Sequence, residues 1–477
     1  MFTTEYDRDA FIKSAVEEVF EKTLTAIDDV HLKQTFHVLA AVVDSLPGAA
    51  SPSSDKLNDS HSDSEPTCRL HSSVSQGYMG VAYSILPLDS LISSSKDEKE
   101  KGLSSQTQCS SVSFRFLVQA GTYPRSEPGD KDRSDGSNTI LYEVQVPLAN
   151  TIFQTGKEAA MFLTTWTKDP STGIRRSHER DLTSVTVQYP FLLSRNPTFA
   201  ASLVPLTAPR VIRTGMGNIV RTLAENDSHA QPMPASKELE EAVARFFRDR
   251  RLQPQQLSVW ALIVPSVIQS QVSLRGPQNV NGKISPGPTE EDPDAYCWYL
   301  LRQGARLHRV LGGGGGWGKK AGLLSLDPSS SYAIESLNES SGMAFADESW
   351  YEDEIQALKN VTTTGDIIQF FTTLADHGTT TDVETNITDS ESRRTDSGSM
   401  KVDFGVVPSS IDSPFRISPT ELNHIEQKNV VFLPGRFGAF SERGLGLHIS
   451  RGYPENEESK TTQTKVDVPF ARFSMDH

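Results

Sequence analysis

Cysteine is scarce in this chain. Its 477 residues hold three, Cys68, Cys109 and Cys297, far apart and with no C-x-x-C pair. That excludes a disulfide framework and a zinc ribbon and suits a reducing compartment. Long apolar runs are also missing, so no membrane-spanning helix is expected. The first residues, Met1 to Asp7, lack the basic start and apolar stretch of a secretory leader, and their acids argue against an Arg-rich transit peptide. These absences predict an intracellular, most simply cytoplasmic, protein without a membrane partner. The N-x-S/T triplets at Asn58, Asn226, Asn338, Asn360 and Asn386 then read as chance in a Ser/Thr-rich chain.

Catalytic signatures are absent as well. There is no G-x-S-x-G, no H-E-x-x-H, no kinase set and no repeat at solenoid or propeller spacing. His178-Glu179-Arg180-Asp181-Leu182 does not continue to a second histidine, and His61, Cys68 and His71 fit no metal spacing. No metal ligand set and no cofactor is assigned. Hydrophobic residues make up only 36% of the chain, against about 45–50% in an ordinary globular domain. A folded core diluted by polar insertions is expected.

Acid is missing locally too. The net charge is -15, yet no Asp or Glu occurs from Ala295 to Leu326, a stretch that carries Arg302, Arg306, Arg309, Lys319 and Lys320 beside His308. Inside it lies Gly312, Gly313, Gly314, Gly315 and Gly316, followed by Trp317, Gly318, Lys319 and Lys320. A glycine run leaves backbone N–H groups bare to cradle phosphate oxygens, and nearby cations favour an anionic partner. Trp317 offers a stacking surface. Gly313 to Lys319 matches the G-x-x-x-x-G-K spacing of a phosphate loop, but Lys320 stands where Ser or Thr would hold Mg²⁺, and Pro328 leaves little room for the helix such a loop opens. The plain alternative is a tight surface loop with Trp317 as a core anchor.

A second basic segment, Pro209 to Asn218, carries Arg210 and Arg213 with Gly215 and Gly217, and its two glycines are read as preceding a short helix through Arg221 and Leu223. A G-x-G turn opening a helix would add bare N–H groups and a positive dipole end. Beyond the glycine run, Asp327 and the acids Asp347, Glu348, Glu352, Asp353 and Glu354 are the carboxylates that a metal-dependent reading would need.

Taken in order, residues 8–46 show two apolar stripes at helical spacing, one through Phe11, Ile12, Val16 and Phe20, the other through Leu32, Phe36, Leu39 and Val43. They predict an N-terminal helical hairpin, packed on the body or binding a protein partner. Residues 48–76 are too polar to order themselves. Short β-branched and aromatic runs predict strands at Tyr78–Leu86, Ser111–Val118, Thr139–Val146, Phe162–Trp166 and Leu182–Tyr189. Ser236–Arg251 predicts a helix, Leu257–Val264 a central strand, Tyr296–Leu301 a helix and Ile367–Leu374 a strand. Residues 375–400 read as disordered, and strands follow at Val402–Val407, Val430–Leu433 and Leu445–Ser450, with an irregular turn at Gly435–Phe440. The tail at Val466–Phe473 suits an edge strand.

The sequence therefore predicts an α+β protein: a mixed, largely antiparallel sheet core with an N-terminal helical hairpin and several disordered insertions. Its regions are 1–47 (hairpin), 48–76 (linker), 77–224 (strand-rich), 236–374 (α/β, with the glycine run), 375–400 (insertion) and 401–477 (strands completing the core). The leading functional expectation is a binding protein that grips a phosphate-bearing ligand, a nucleotide or RNA backbone, through Gly312–Lys320 helped by Arg306, Arg309, Arg210 and Arg213. A phosphoryl- or nucleotidyl-transfer enzyme and a scaffold without a small ligand are the alternatives.

Overall fold

A computed structural model of the chain describes residues 12–18, 34–47, 77–92, 109–119, 139–169, 173–193, 195–224, 232–252, 256–272, 274, 278–280, 283–285, 293–313, 322–330, 361–373, 400–408, 433–451 and 460–476. Both long polar tracts, 48–76 and 375–400, lie outside them, as do most of Val430–Leu433 and all the acids from Asp347 to Glu354.

The alternating runs form the strands they predict. Val112, Phe114, Phe116 and Val118 of Ser111–Gln119 are buried, with Arg115 and Leu117 only half-buried between them. This strand sits in a six-stranded sheet ordered Leu91–Ile92, Ser184–Leu193, Ser111–Gln119, Thr139–Pro147, Leu445–Arg451, Lys460–Val466. A four-stranded sheet, ordered Arg436–Ser441, Lys401–Val406, Arg472–Asp476, Thr198–Ala200, packs over it. The layers meet through rings: Phe114 stacks on Phe404 at 4.7 Å, and Tyr142 reaches Phe473 at 6.1 Å. Among the described residues only two strand pairings are parallel, Ser111–Gln119 with Ser184–Leu193 and Lys401–Val406 with Arg436–Ser441. The mixed, largely antiparallel core stands.

Beside the sandwich is a closed barrel of six antiparallel strands: β1 (Arg210–Met216), β2 (Ile219–Ala224), β3 (Val259–Val264), β4 (Arg306–Gly313), β5 (Leu324–Leu326) and β6 (Ile367–Thr373). Neighbours run β1-β2-β5-β4-β3-β6, and β6 returns to β1 through Arg210↔Ile368 and Val211↔Ile367. Helix α1 (Ala235–Asp249) puts Ala235, Leu239, Ala242 and Phe246 into the same apolar cluster as the barrel's Ile212, Ala261, Leu324 and Phe370. Leu239, Ala242 and Phe246 follow three- and four-residue steps, which is why one stripe of the helix is buried. Helix α2 (Pro293–Gln303) buries Tyr296, Cys297, Trp298, Leu300 and Leu301 in the sandwich core.

Five expectations change. The tail at Val466–Phe473 is not an edge strand: it joins Lys460–Val466 to Arg472–Asp476, which is paired on both sides, with Lys401–Val406 and Thr198–Ala200. Residues 12–18 are helical, with Ile12 and Val16 packed on Phe162 and Trp166, but the second apolar stripe is a strand, Gln34–Ala41. It pairs with Met161–Asp169, which pairs with Gly173–Asp181 in a three-stranded sheet. Thr35, Phe36 and Val38 favour an extended chain, and eight ladder partners override the helical spacing. Among the described residues there is thus no second helix for a partner-binding hairpin. The G-x-G segment opens no helix: β1 and β2 form a hairpin turning at Gly217, whose φ is 62°. Gly435 is the turn, and Arg436–Ser441 continues as a strand. Tyr78–Leu86 forms no strand of its own beyond the Leu46↔Tyr78 bridge.

Phe404 is fully buried between the two layers. Phe404→Ala should cost about 3–5 kcal/mol, measured as a lower urea midpoint. A shift under about 1 kcal/mol would mean that this contact does not hold the layers together.

Candidate functional site

Strands β3 and β4 pair through four positions, from Ile263↔Arg306 to Trp260↔Arg309. Beyond Arg309, β4 bulges between Val310 and Gly312 and turns its pairing to β5, through Gly312↔Ser325 and Gly313↔Leu324. Among the described residues, nothing pairs Leu311–Gly313 with the facing Gln256–Ser258. Between these splayed ends and α1 lies a groove of about 670 Å³. That volume falls within the range of small-molecule sites, about 300–1,000 Å³. Ser236, Glu240, Gln256, Ser258 and Arg309 are its polar lining, and Leu239, Val243, Val310, Leu311 and Leu324 form much of its apolar wall.

Its two glycines are there for different reasons. A side chain at Gly313 would run into the Leu324 side chain and approach the Leu323 carbonyl oxygen to 2.8 Å, so close contact with β5 requires a hydrogen. A Cβ at Gly312 would meet nothing within 4 Å, and its φ is not positive. Packing does not explain Gly312; its bare backbone is open toward the groove. Gly313→Ala should therefore destabilise the fold by on the order of 1–3 kcal/mol. Gly312→Ala should be neutral or stabilising by up to about 1 kcal/mol. Thermal unfolding of the pair checks this, and equal losses would refute the distinction.

Arg309 donates from its guanidinium to Ser258 Oγ at 3.3 Å. Under it lies a charged layer joining barrel and sandwich. Trp260 Nε1 donates to Asp467 Oδ1 at 2.8 Å, and Lys465 Nζ donates to Asp327 Oδ2 at 3.0 Å. Burial pushes the Asp467 carboxyl up, against the pull of Lys465, Trp260 and Arg309. Burial acts on Asp327 too, but Lys465 and Ser329 outweigh it and hold that carboxyl below its usual value.

His308, next to Arg309, is 3% exposed. Burial pushes its pKa down to about 4, so the ring is neutral at pH 7. Nδ1 lies 2.8 Å from the Asp327 carbonyl oxygen, which makes Nδ1 the protonated nitrogen, and Nε2 has no partner among the described residues. Because the folded value is depressed below the unfolded 6.5, the contribution is complete above pH 6.5 and disappears as pH falls toward 4. It is worth on the order of 3 kcal/mol. Urea unfolding across this window should show that slope, and a His308→Leu variant should lack this component whatever its baseline. Identical slopes in both proteins would remove His308 from the account.

The structure brings together only part of the expected constellation. Gly312, Gly313 and Arg309 line the groove. Gly314, Gly315, Gly316, Trp317, Gly318, Lys319 and Lys320 lie outside the described residues. Arg306 is seven positions back along β4, roughly 20 Å from Gly313 at strand rise, where Asp366 is its charged neighbour. Arg210 is paired with Glu238 of α1 at 2.6 Å. Arg213, Gly215 and Gly217 belong to the β1–β2 hairpin at the opposite end of the barrel from Gly313, where Asn218 Nδ2 donates to the Leu326 carbonyl oxygen at 2.8 Å. The two Arg/Gly segments do not converge. Asp327 is engaged by Lys465 rather than turned to the groove. Ser258, Asp467 and the α1 face escape sequence reading, since nothing local links residues so far apart along the chain.

Compared with known proteins, the chain matches no family model, no curated protein and no solved structure. No helix among the described residues is long and apolar enough to cross a membrane.

Proposed function

We propose that this chain is an intracellular, cytoplasmic binding protein whose groove between α1 and the splayed ends of β3 and β4 takes a phosphate-bearing ligand. One observation carries the reading: Arg309 and the sterically unrequired Gly312 line the same ligand-sized groove, at the root of the basic glycine run. A strand end without a side chain at Gly312 and a guanidinium held by Ser258 suit the close approach of phosphate oxygens. The free thiols of Cys109 and Cys297 agree with a reducing compartment. A groove of this size suits a small ligand better than a track along an RNA backbone.

The test is titration with a panel of mononucleotides, simple phosphate esters and RNA at several salt concentrations. Arg309→Ala should weaken phosphate-ester binding about 10–100-fold, the worth of a charge-assisted hydrogen bond. Lys319→Ala/Lys320→Ala should weaken it further and flatten the salt dependence. Affinity that ignores both salt and these substitutions would defeat the reading.

The scaffold reading keeps one specific support. Along residues 78–88, Tyr78, Met79, Tyr83, Ile85 and Leu88 are exposed while Ala82 and Leu86 pack on the core. An apolar row of this kind marks interaction surfaces.

A further inference from the structure

The groove's wall says more than its charge. Among its described lining residues there is no aromatic ring: the apolar part is Leu, Val and Ala from α1, β3, β4 and β5. Among these described residues a base or sugar ring has no stacking partner, whereas branched aliphatic side chains solvate a hydrocarbon chain without directional demands. Leu239, Val243 and Ala244 face the groove at helical spacing, and Val310, Leu311 and Leu324 oppose them. Leu311 keeps 60% of its surface exposed, apolar area that an occupant would cover. Arg309 is the lone cation among the described lining residues, and Glu240, exposed on α1, is the lone acid. That pattern fits one anionic group beside Arg309.

Resting on the phosphate reading above, we infer that the ligand is a single-headed aliphatic amphiphile: an alkyl or prenyl chain along the α1 wall, with one phosphate at Arg309 and the Gly312–Gly313 backbone. The chain supplies affinity through burial, and the head fixes its direction.

Calorimetric titration of the full chain with ethyl through decyl phosphate, below their micellar concentrations, tests this, with adenosine monophosphate and matched alkanols as controls. Affinity should rise about fourfold per methylene and level off once the groove is full. Gly312→Leu should abolish the dependence on chain length. Val243→Gln, on the partly exposed face of α1, is the second variant should the first fail to fold. Arg309→Gln should erase the preference for alkyl phosphate over alkanol while leaving the chain-length slope. If adenosine monophosphate and decyl phosphate bind equally, with no slope, the aliphatic inference falls and the phosphate reading survives. If alkanols bind as tightly as alkyl phosphates, the anionic head is wrong and both fall. Concentration-dependent self-association that decyl phosphate cannot reverse would mean that a second copy covers the groove, which also overturns the inference.

Discussion

Strand β3, Val259–Val264, is buried along its whole length, and the rest of the molecule is arranged around that fact. Val259, Ala261 and Ile263 turn into the barrel with α1, while Trp260, Leu262 and Val264 join the sandwich core. A strand apolar on both faces cannot sit at a surface, so two bodies must close on it. The larger cluster accordingly runs from Ala41 to Met475 and gathers both sheets, α2 and the outer face of the barrel. Trp260 is the polar seam in this contact: its indole N–H reaches Asp467, and Thr464, in the neighbouring strand, accepts the Leu307 N–H at 2.8 Å.

The groove follows from where that pairing stops. While β3 and β4 run together both are deeply set; past Trp260↔Arg309 no pairing joins them among the described residues, while on its other edge β4 bulges and continues along β5. Bulges commonly re-aim a strand beside a binding site. Here the bulge turns Leu311 outward and leaves the Gly312 backbone accessible, while α1 closes the other side.

Much of the architecture was legible in the residues. The Val259–Val264 run, the α1 stripe and the alternation in Ser111–Gln119 each declare their state, because burial pattern and local propensity agree. Gln34–Ala41 was not legible: its apolar positions fit a helix by spacing, and only the ladder to Met161–Asp169, over a hundred residues away, decides for strand. The β1–β2 hairpin failed for a related reason. Gly215 and Gly217 suit a phosphate turn or a hairpin equally, and pairing with β5 and β6 selects the hairpin. Barrel closure then carries Arg213 away from the glycine strand. Of the residues expected at a site, Gly312, Gly313 and Arg309 line the groove. Arg306 and Arg210 look equivalent in sequence, but the fold gives them Asp366 and Glu238 as charged neighbours.

The three arginines differ in their surroundings. Arg210 has a carboxylate at 2.6 Å and Arg306 is set far down β4. Arg309 instead rests on a neutral hydroxyl, and the acid beneath it, Asp467, gives its nearest oxygen to Trp260 and is driven by burial toward its neutral form. The Ser258 hydroxyl thus helps to orient Arg309. In the proposed reading Arg309 is the cation that faces the groove's aliphatic wall, in a chain whose net charge is -15.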